Sequence, residues 1–372
     1  MARFPEEFDS CEQIIGPDGS YDEAAVDALD LGSEDLLEMY RSMVTARALE
    51  QRGLTLQRQG RLHFWMEARG LEASHVGSAA ALDAADWLQT EWRQYGAHIH
   101  RGRSLEDILL FWLRGYEEWE TADPDEAPPH ERRLPHIVAV GTQVPQAVGL
   151  MWGRKLQGKS EAGLVAFGDG GASKGDVHAG MIFAGVFEIP IVFLLLNNQW
   201  AISVPVERQL AAESYTERAP GYGFDGILVD GDDPLAVYRA TREAVQRAKD
   251  DNEPTLVEAL TYRRAAHSSS DDPSRYRDEA EVEAWEERDP IDRYETFLAD
   301  RGLWTKAEGE RIRAEADDRV KVAAESAIVI AEEQAPREAF DEVFANPPDF
   351  IDEQWREFES FYDRHGDAGF GW

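Results

Sequence analysis

The segment AGLVAFGDGGASKGDVHAGMIFAGVFEIPIVFLLLNN, residues 162–198, constrains the fold more than any other part of the chain. Two nearly pure apolar runs, AGLVAF and IPIVFLLL, flank a glycine-rich turn and a helix-length stretch. Each run is far shorter than the ~20 residues needed to span a membrane. Neither has a polar face to offer to water, so each predicts a strand covered on both sides, as in parallel sheets packed between helices. GILVDGDDPLAVYRATREAVQRAKDD and PTLVEALTYRR repeat the pattern. Short apolar runs alternating with helical stretches predict an α/β fold: a mostly parallel sheet with helices on both faces.

The rest of the chain is read around that core. Residues 1–32 are acidic and irregular and form an N-terminal arm; Ser33 is the expected cap of a long helix, SEDLLEMYRSMVTARALEQRGLTLQRQG. TADPDEAPPHERRLP is a loop by its prolines and charges. The α/β domain runs over 33–334, and 335–372 is an acidic, aromatic C-terminal extension that reads as a docking element. A net charge of −35 speaks against nucleic acid or an anionic membrane as partner. Only six of the basic residues are lysine (Lys155, Lys159, Lys174, Lys249, Lys306 and Lys321), and with so many Asp and Glu the surface suits high salt, as in a halophile. Cys11 is the one cysteine, and MARFPEEFDS lacks the basic and apolar regions of a signal peptide, so a cytoplasmic protein is expected.

Three chemistries compete for GDGGASKGDVHAG. GDGGAS nearly matches the dinucleotide fingerprint G-x-G-x-x-G. Its third glycine is replaced by Ser173, however, and the following strand ends in Asn197-Asn198 where a ribose-binding acid is needed. Gly171–Gly175 is a literal G-x-S-x-G. A nucleophile elbow would seat its serine directly after the strand, a place taken by Gly168-Asp169-Gly170, which leaves Ser173 as a helix cap. The third chemistry uses both strand ends. Asp169 and Asn198 leave successive strands, with 26 residues between the glycine turn and the asparagine pair, enough for one helical crossover. A carboxylate and an amide oxygen meeting there are hard donors for Mg²⁺, which readily shares a diphosphate. Gly168 and Gly170 let the backbone approach phosphate, and the following helix turns its positive end towards it.

GDG followed at this interval by NN resembles the thiamine diphosphate signature. The wider chain resembles the alpha subunit of the decarboxylating component of 2-oxo acid dehydrogenase complexes, of the pyruvate and branched-chain type. LQRQGR, HVGSAAAL, GTQVPQAVG, PGYGFDGILVDGDDPLAVY and HSSSDDPSRYR look like blocks of that family in family order, together covering about 33–330. The resemblance implies Asp169, Asn198 and the carbonyl of Trp200 as Mg²⁺ ligands, with Gly168, Gly170 and Gly171 against the diphosphate. It implies Arg93 on the diphosphate oxygens, Val140 under the bent cofactor, and His267 as the catalytic histidine. Arg263, Ser268, Asp271, Tyr276 and Arg277 match the loop that receives the lipoyl domain, with Ser268 at a position phosphorylated in some relatives.

Trp92 departs from the family. Glu91-Trp92-Arg93 stands where Gln-Tyr-Arg is usual, so the phenol that would bond phosphate is replaced by an indole N–H. The resemblance further implies that the other half of the site lies on a beta subunit, giving an α₂β₂ enzyme that passes acyl groups to lipoamide. Pyruvate and branched-chain 2-oxo acids remain open as substrate. So do acetoin cleavage and a non-catalytic structural paralogue as alternatives.

Overall fold

In a computed structural model that describes residues 11–114, 123–333, 337, 340 and 344–366, the apolar runs become strands because each feeds two cores at once. Strands β1 (Trp87–Gln89), β2 (Gly163–Gly168), β3 (Ile191–Asn197), β6 (Asp225–Asp230) and β7 (Thr255–Leu260) form one parallel sheet in the order β1-β2-β3-β7-β6. Successive residues point to opposite faces. Val165, Phe167, Phe193 and Leu195 pack on one face against helices α6 (Gln143–Leu156) and α7 (Gly175–Phe187). Leu164, Ala166, Val192 and Leu194 pack on the other against Val237, Ala240 and Ala244 of helix α8 (Pro234–Asp251). The α/β architecture expected from the pattern is the one observed. Strand β1 carries no long apolar run and was not expected.

A second core lies beside the sheet, where helix α11 (Lys306–Glu333) packs on both α2 (Ser33–Arg58) and α5 (Leu105–Arg114), and α10 (Pro290–Asp300) packs on α2. Ser33 is not the cap of α2. Gly32 holds that position, and its N–H donates to the Asp35 carboxylate at 2.8 Å, an acceptor reaching back from the first turn. The described part of the N-terminal arm is tied down rather than irregular. Glu12 bridges to Val229 on edge strand β6, and the N–H groups of Ile14 and Ile15 both donate to Asp233 at 2.7 Å. At the other end, helix α12 (Asp349–His365) is largely exposed, and its Trp355 and Phe358 cluster with Phe340. Residues 335–336, 338–339, 341–343 and 367–372 of the C-terminal extension, like residue 334 before it and Thr121 and Ala122 of the proline-rich loop, lie outside the described residues. Among those described, no helix is long and apolar enough to cross a membrane.

Register places the candidate site. Gly168 pairs with Leu196, and Asn197 pairs with Leu260, so β2, β3 and β7 end level with one another. Asp169, Asn198 and Arg263 therefore leave neighbouring strands at one edge, the carboxyl edge where ligands of open α/β sheets bind.

Candidate active site

Asp169 is almost fully buried, at 1% exposure. Its carboxylate accepts from Gln209 Nε2 at 3.0 Å. Burial pushes its pKa up to about 6, against the downward pull of Gln209 and of the charges of Arg263 and Arg93. The turn beneath it is held on both sides. A Cβ on Gly170 would stand 2.9 Å from the Ala201 Cβ, and one on Gly171 would stand 3.5 Å from Val140 Cγ1. Gly170 thus lets the hairpin of β4 (Trp200–Ala201) and β5 (Val204–Pro205) close onto the turn, and Val140 lies against it. Asn198 Oδ1 accepts from the Trp200 N–H at 3.2 Å, and the Trp200 carbonyl accepts from Arg263 Nη1 at 2.8 Å.

Two buried guanidinium groups face this turn. Arg93 comes from the turn after β1, donating to the Glu67 carbonyl and to the His267 carbonyl, the latter at 3.1 Å. Arg263 donates to the carbonyls of Trp200 and Ile202, the latter at 2.9 Å, and among the described residues its Nε has no partner. Among the described residues neither forms an ion pair. Burial pulls the pKa of Arg93 down to about 10, and the charge of Arg263 adds to that effect. Between them stands His267, with its Nδ1 at 3.1 Å from Arg93 and 3.4 Å from Arg263. Both neighbours are donors, so Nδ1 accepts and the proton of the neutral ring sits on Nε2. Burial and the two cations lower its pKa to about 3, so in the cofactor-free chain the imidazole is neutral near pH 7.

The segment around His267 is folded back on itself. The His267 N–H donates to Asp271 Oδ2 at 2.8 Å, and the Tyr276 hydroxyl donates to the same oxygen. Arg277 donates to the carbonyls of Arg263 and Arg264, and Ser268 is buried. Arg263 is not on the surface of this loop; it is fully buried under the hairpin. Trp92 is half-buried beside Arg93. Ser173 is exposed, with its Oγ 3.3 Å from Gln209 Oε1. It does not cap α7, whose N-cap is Lys174; Gly171–Ser173 forms a separate turn of 3-10 helix.

Sequence reasoning did not place Glu91, Gln143 and Gln209 in the site. Glu91 Oε1 lies 3.1 Å from Gln143 Nε2, and burial pushes its pKa up to about 7. The one local signal was TEWRQ (Thr90–Gln94), a polar run attached to a strand, in which every residue but Trp92 is buried.

Residues 40–336 match the family described as "Dehydrogenase E1 component". The chain belongs to that family. It is 41% identical over 307 residues to the 3-methyl-2-oxobutanoate dehydrogenase subunit alpha of Mycobacterium tuberculosis (strain ATCC 25618 / H37Rv), covering 82% of this chain and 81% of the relative. The pyruvate dehydrogenase E1 component subunit alpha of Bacillus cereus is 39% identical over 328 residues, 88% of this chain and 85% of the relative. The 2-oxoisovalerate dehydrogenase subunit alpha of Bacillus subtilis (strain 168) is 38% identical over 286 residues, 74% and 85% respectively.

Membership of the E1 family makes the chain an oxidoreductase component and implies thiamine diphosphate. The donor set fits that group. Two buried cations without a carboxylate partner suit a diphosphate, since a buried charge is stable only when paired. Asp169, an amide oxygen and a carbonyl are the hard oxygen donors that a small divalent cation takes, with phosphate and water completing the shell. Among the described residues, no cluster of three or more His, Cys, Asp or Glu offers a rival metal site.

Proposed function

We propose that the chain is the alpha subunit of an enzyme that oxidatively decarboxylates a 2-oxo acid and passes the acyl group to lipoamide. What carries the proposal is the meeting of Arg93, Arg263 and Asp169 at one sheet edge: two unpaired buried cations and a buried carboxylate around a glycine turn. Thiamine diphosphate, when bound, supplies the carbanion and electron sink for loss of CO₂. Arg93 would hold the diphosphate by charge-assisted hydrogen bonds, with Gly168, Gly170 and Gly171 admitting its oxygens to the backbone. Asp169, Asn198 and the Trp200 carbonyl would hold Mg²⁺. Val140, packed against the turn, would support the cofactor's bend, and Trp92 would lie alongside with its indole N–H. His267, kept neutral by burial and by its two cationic neighbours, would offer its Nε2–H to oxygen that becomes negative during the reaction. Asp271, Tyr276 and Arg277 fix the loop carrying His267 and Ser268, and Arg263 anchors its base; this is the face offered to the lipoyl domain.

The partner that completes the site would be a beta subunit, in an α₂β₂ enzyme. Substrate choice rests between pyruvate and branched-chain 2-oxo acids, because relatives of both kinds match at nearly equal identity. The test is reconstitution with the beta subunit. Decarboxylation of pyruvate, 3-methyl-2-oxobutanoate and acetoin is compared in the presence of Mg²⁺ and thiamine diphosphate. Turnover of a 2-oxo acid by the pair, and none by this chain alone, is expected. Calorimetry showing that the pair binds no thiamine diphosphate would instead identify a structural paralogue.

A further inference from the structure

Strand β2 outruns its neighbour. Pairing with β1 stops at Gln89–Val165, yet β2 continues to Gly168, next to Asp169. The polar groups that Ala166 and Gly168 present towards β1 would be stranded in a buried environment, which costs about 1–3 kcal/mol for each unsatisfied group. Two side chains stand where the missing strand would run. Gln143 Nε2, at the start of α6, donates to the Ala166 carbonyl at 3.1 Å and to Glu91 Oε1 at 3.1 Å. The main-chain N–H of Gly168 lies near the Glu91 carboxylate and favours its charged form. Its Oε1 lies 3.5 Å from where a Cβ on Gly171 would be. Both residues are buried, Gln143 completely, and Glu91 forms no ion pair among the described residues. A charge buried without a counter-charge is costly, so packing alone does not account for an acid at this position.

We propose that Glu91 is a positioning residue: paired with Gln143, it extends the sheet in place of β1 and fixes the Gly168–Gly171 turn on which Asp169 is mounted. The inference rests on the cofactor reading of the site. Asp169 can serve a cation and a diphosphate only if its backbone is held in place before they arrive, and a turn freed at one end loses that preorganisation.

Two variants of the reconstituted enzyme test it, with thiamine diphosphate titrated calorimetrically at fixed Mg²⁺ and hydrogen exchange followed in the cofactor-free state. Glu91→Ala is expected to weaken thiamine diphosphate binding about tenfold. It is also expected to speed exchange in the peptide covering 163–173 while leaving β7 and β6 unchanged. Glu91→Gln keeps an acceptor for both donors and is expected to stay within about threefold of the parent enzyme. Should Glu91→Ala fail to assemble, Gln143→Ala carries the same expectation. Where both single variants assemble, the double variant should be no worse than the weaker single by more than about twofold, because the two side chains act as a unit. Parent-like affinity and exchange in Glu91→Ala would overturn the inference. So would a Glu91→Gln as impaired as the alanine variant, which would make the charge itself the functional feature. If the parent enzyme binds no thiamine diphosphate, the cofactor reading fails instead.

Discussion

Two clusters of buried charge sit at the carboxyl edge of the sheet, and they are built on opposite principles. At the end of β6, every charge has a partner. Asp230 meets Arg288 at 3.0 Å and Arg293 at 2.9 Å, Asp232 meets Arg264 at 2.8 Å, and Asp233 takes the N–H groups of Ile14 and Ile15. This network ties the N-terminal arm, α10 and the chain after β7 to the sheet. At the ends of β1, β2 and β7, Arg93 and Arg263 bond, among the described residues, only to carbonyls, to His267 and to the Tyr276 hydroxyl, and Asp169 only to an amide side chain and its own backbone. Paired buried charges make a structural joint. Unpaired ones spend folding energy on a site whose counter-charges come from outside.

Removing one member from each cluster should separate the two roles. Asp230→Ala strands two buried guanidinium groups and should cost about 3–5 kcal/mol of unfolding free energy, read by urea denaturation. Arg93→Met should move stability by only about 1 kcal/mol, because a desolvated cation repelled by Arg263 is removed along with its hydrogen bonds. Its thiamine diphosphate affinity should nevertheless fall about a hundredfold, read by calorimetry on the reconstituted enzyme. A collapse of stability in Arg93→Met, with cofactor affinity intact, would erase the distinction.

Glu50 extends the comparison behind Arg93. It is buried, accepts from the Ala68 N–H at 2.9 Å and the Tyr95 hydroxyl at 3.0 Å, and has no ion pair among the described residues. Burial, reinforced by Glu72 and Glu67, pushes its pKa up to about 8, despite hydrogen bonds from Ala68 and Tyr95 that pull it down. The unfolded chain gives up this proton above about pH 4.5, while the folded chain holds it to about pH 8. The folded state thus binds the extra proton in that window, and this group makes stability fall as pH rises through it. Glu50→Gln keeps the acceptor and removes the titration. Its stability relative to the parent should therefore rise by about 2 kcal/mol between pH 6 and pH 8, measured by paired denaturation curves.

How far these clusters were legible in the sequence follows from the range of their contacts. The apolar runs announced β2, β3, β6 and β7, because a strand covered on both faces needs apolar side chains at successive positions. Asp169 and Asn198 were legible because they immediately follow such runs. Strand β1 was not, being three residues with no run of its own. Arg93 and His267, which meet across 174 positions, were legible only through the family resemblance, and Glu91 and Gln143, which meet across 52, were not legible as site members at all. Local patterning assigns a stretch like TEWRQ to water, and only the assembled sheet edge shows it turned inward. The capping errors at Ser33 and Ser173 have the same origin. Side-chain preference nominates serine, while the backbone direction entering each helix gave the position to Gly32 and Lys174.

Ser173 gives the smallest expected effect and the sharpest check on which half of GDGGASKGDVHAG carries the chemistry. As a hydrolase nucleophile it would need a base within hydrogen-bond reach. Its Oγ instead lies 3.3 Å from Gln209 Oε1, an amide oxygen that can only accept. Gln209 uses its Nε2 on Asp169, so Ser173 reaches the site solely as a support for the group that supports Asp169. Ser173→Ala removes one exposed, long hydrogen bond and should shift stability by less than about 0.5 kcal/mol. Decarboxylase activity of the reconstituted enzyme should fall no more than about twofold, whereas a nucleophile's loss would remove nearly all of it. A severe loss in Ser173→Ala would move the chemistry from the strand end, where Asp169 faces the two arginines, to the 3-10 turn four residues on.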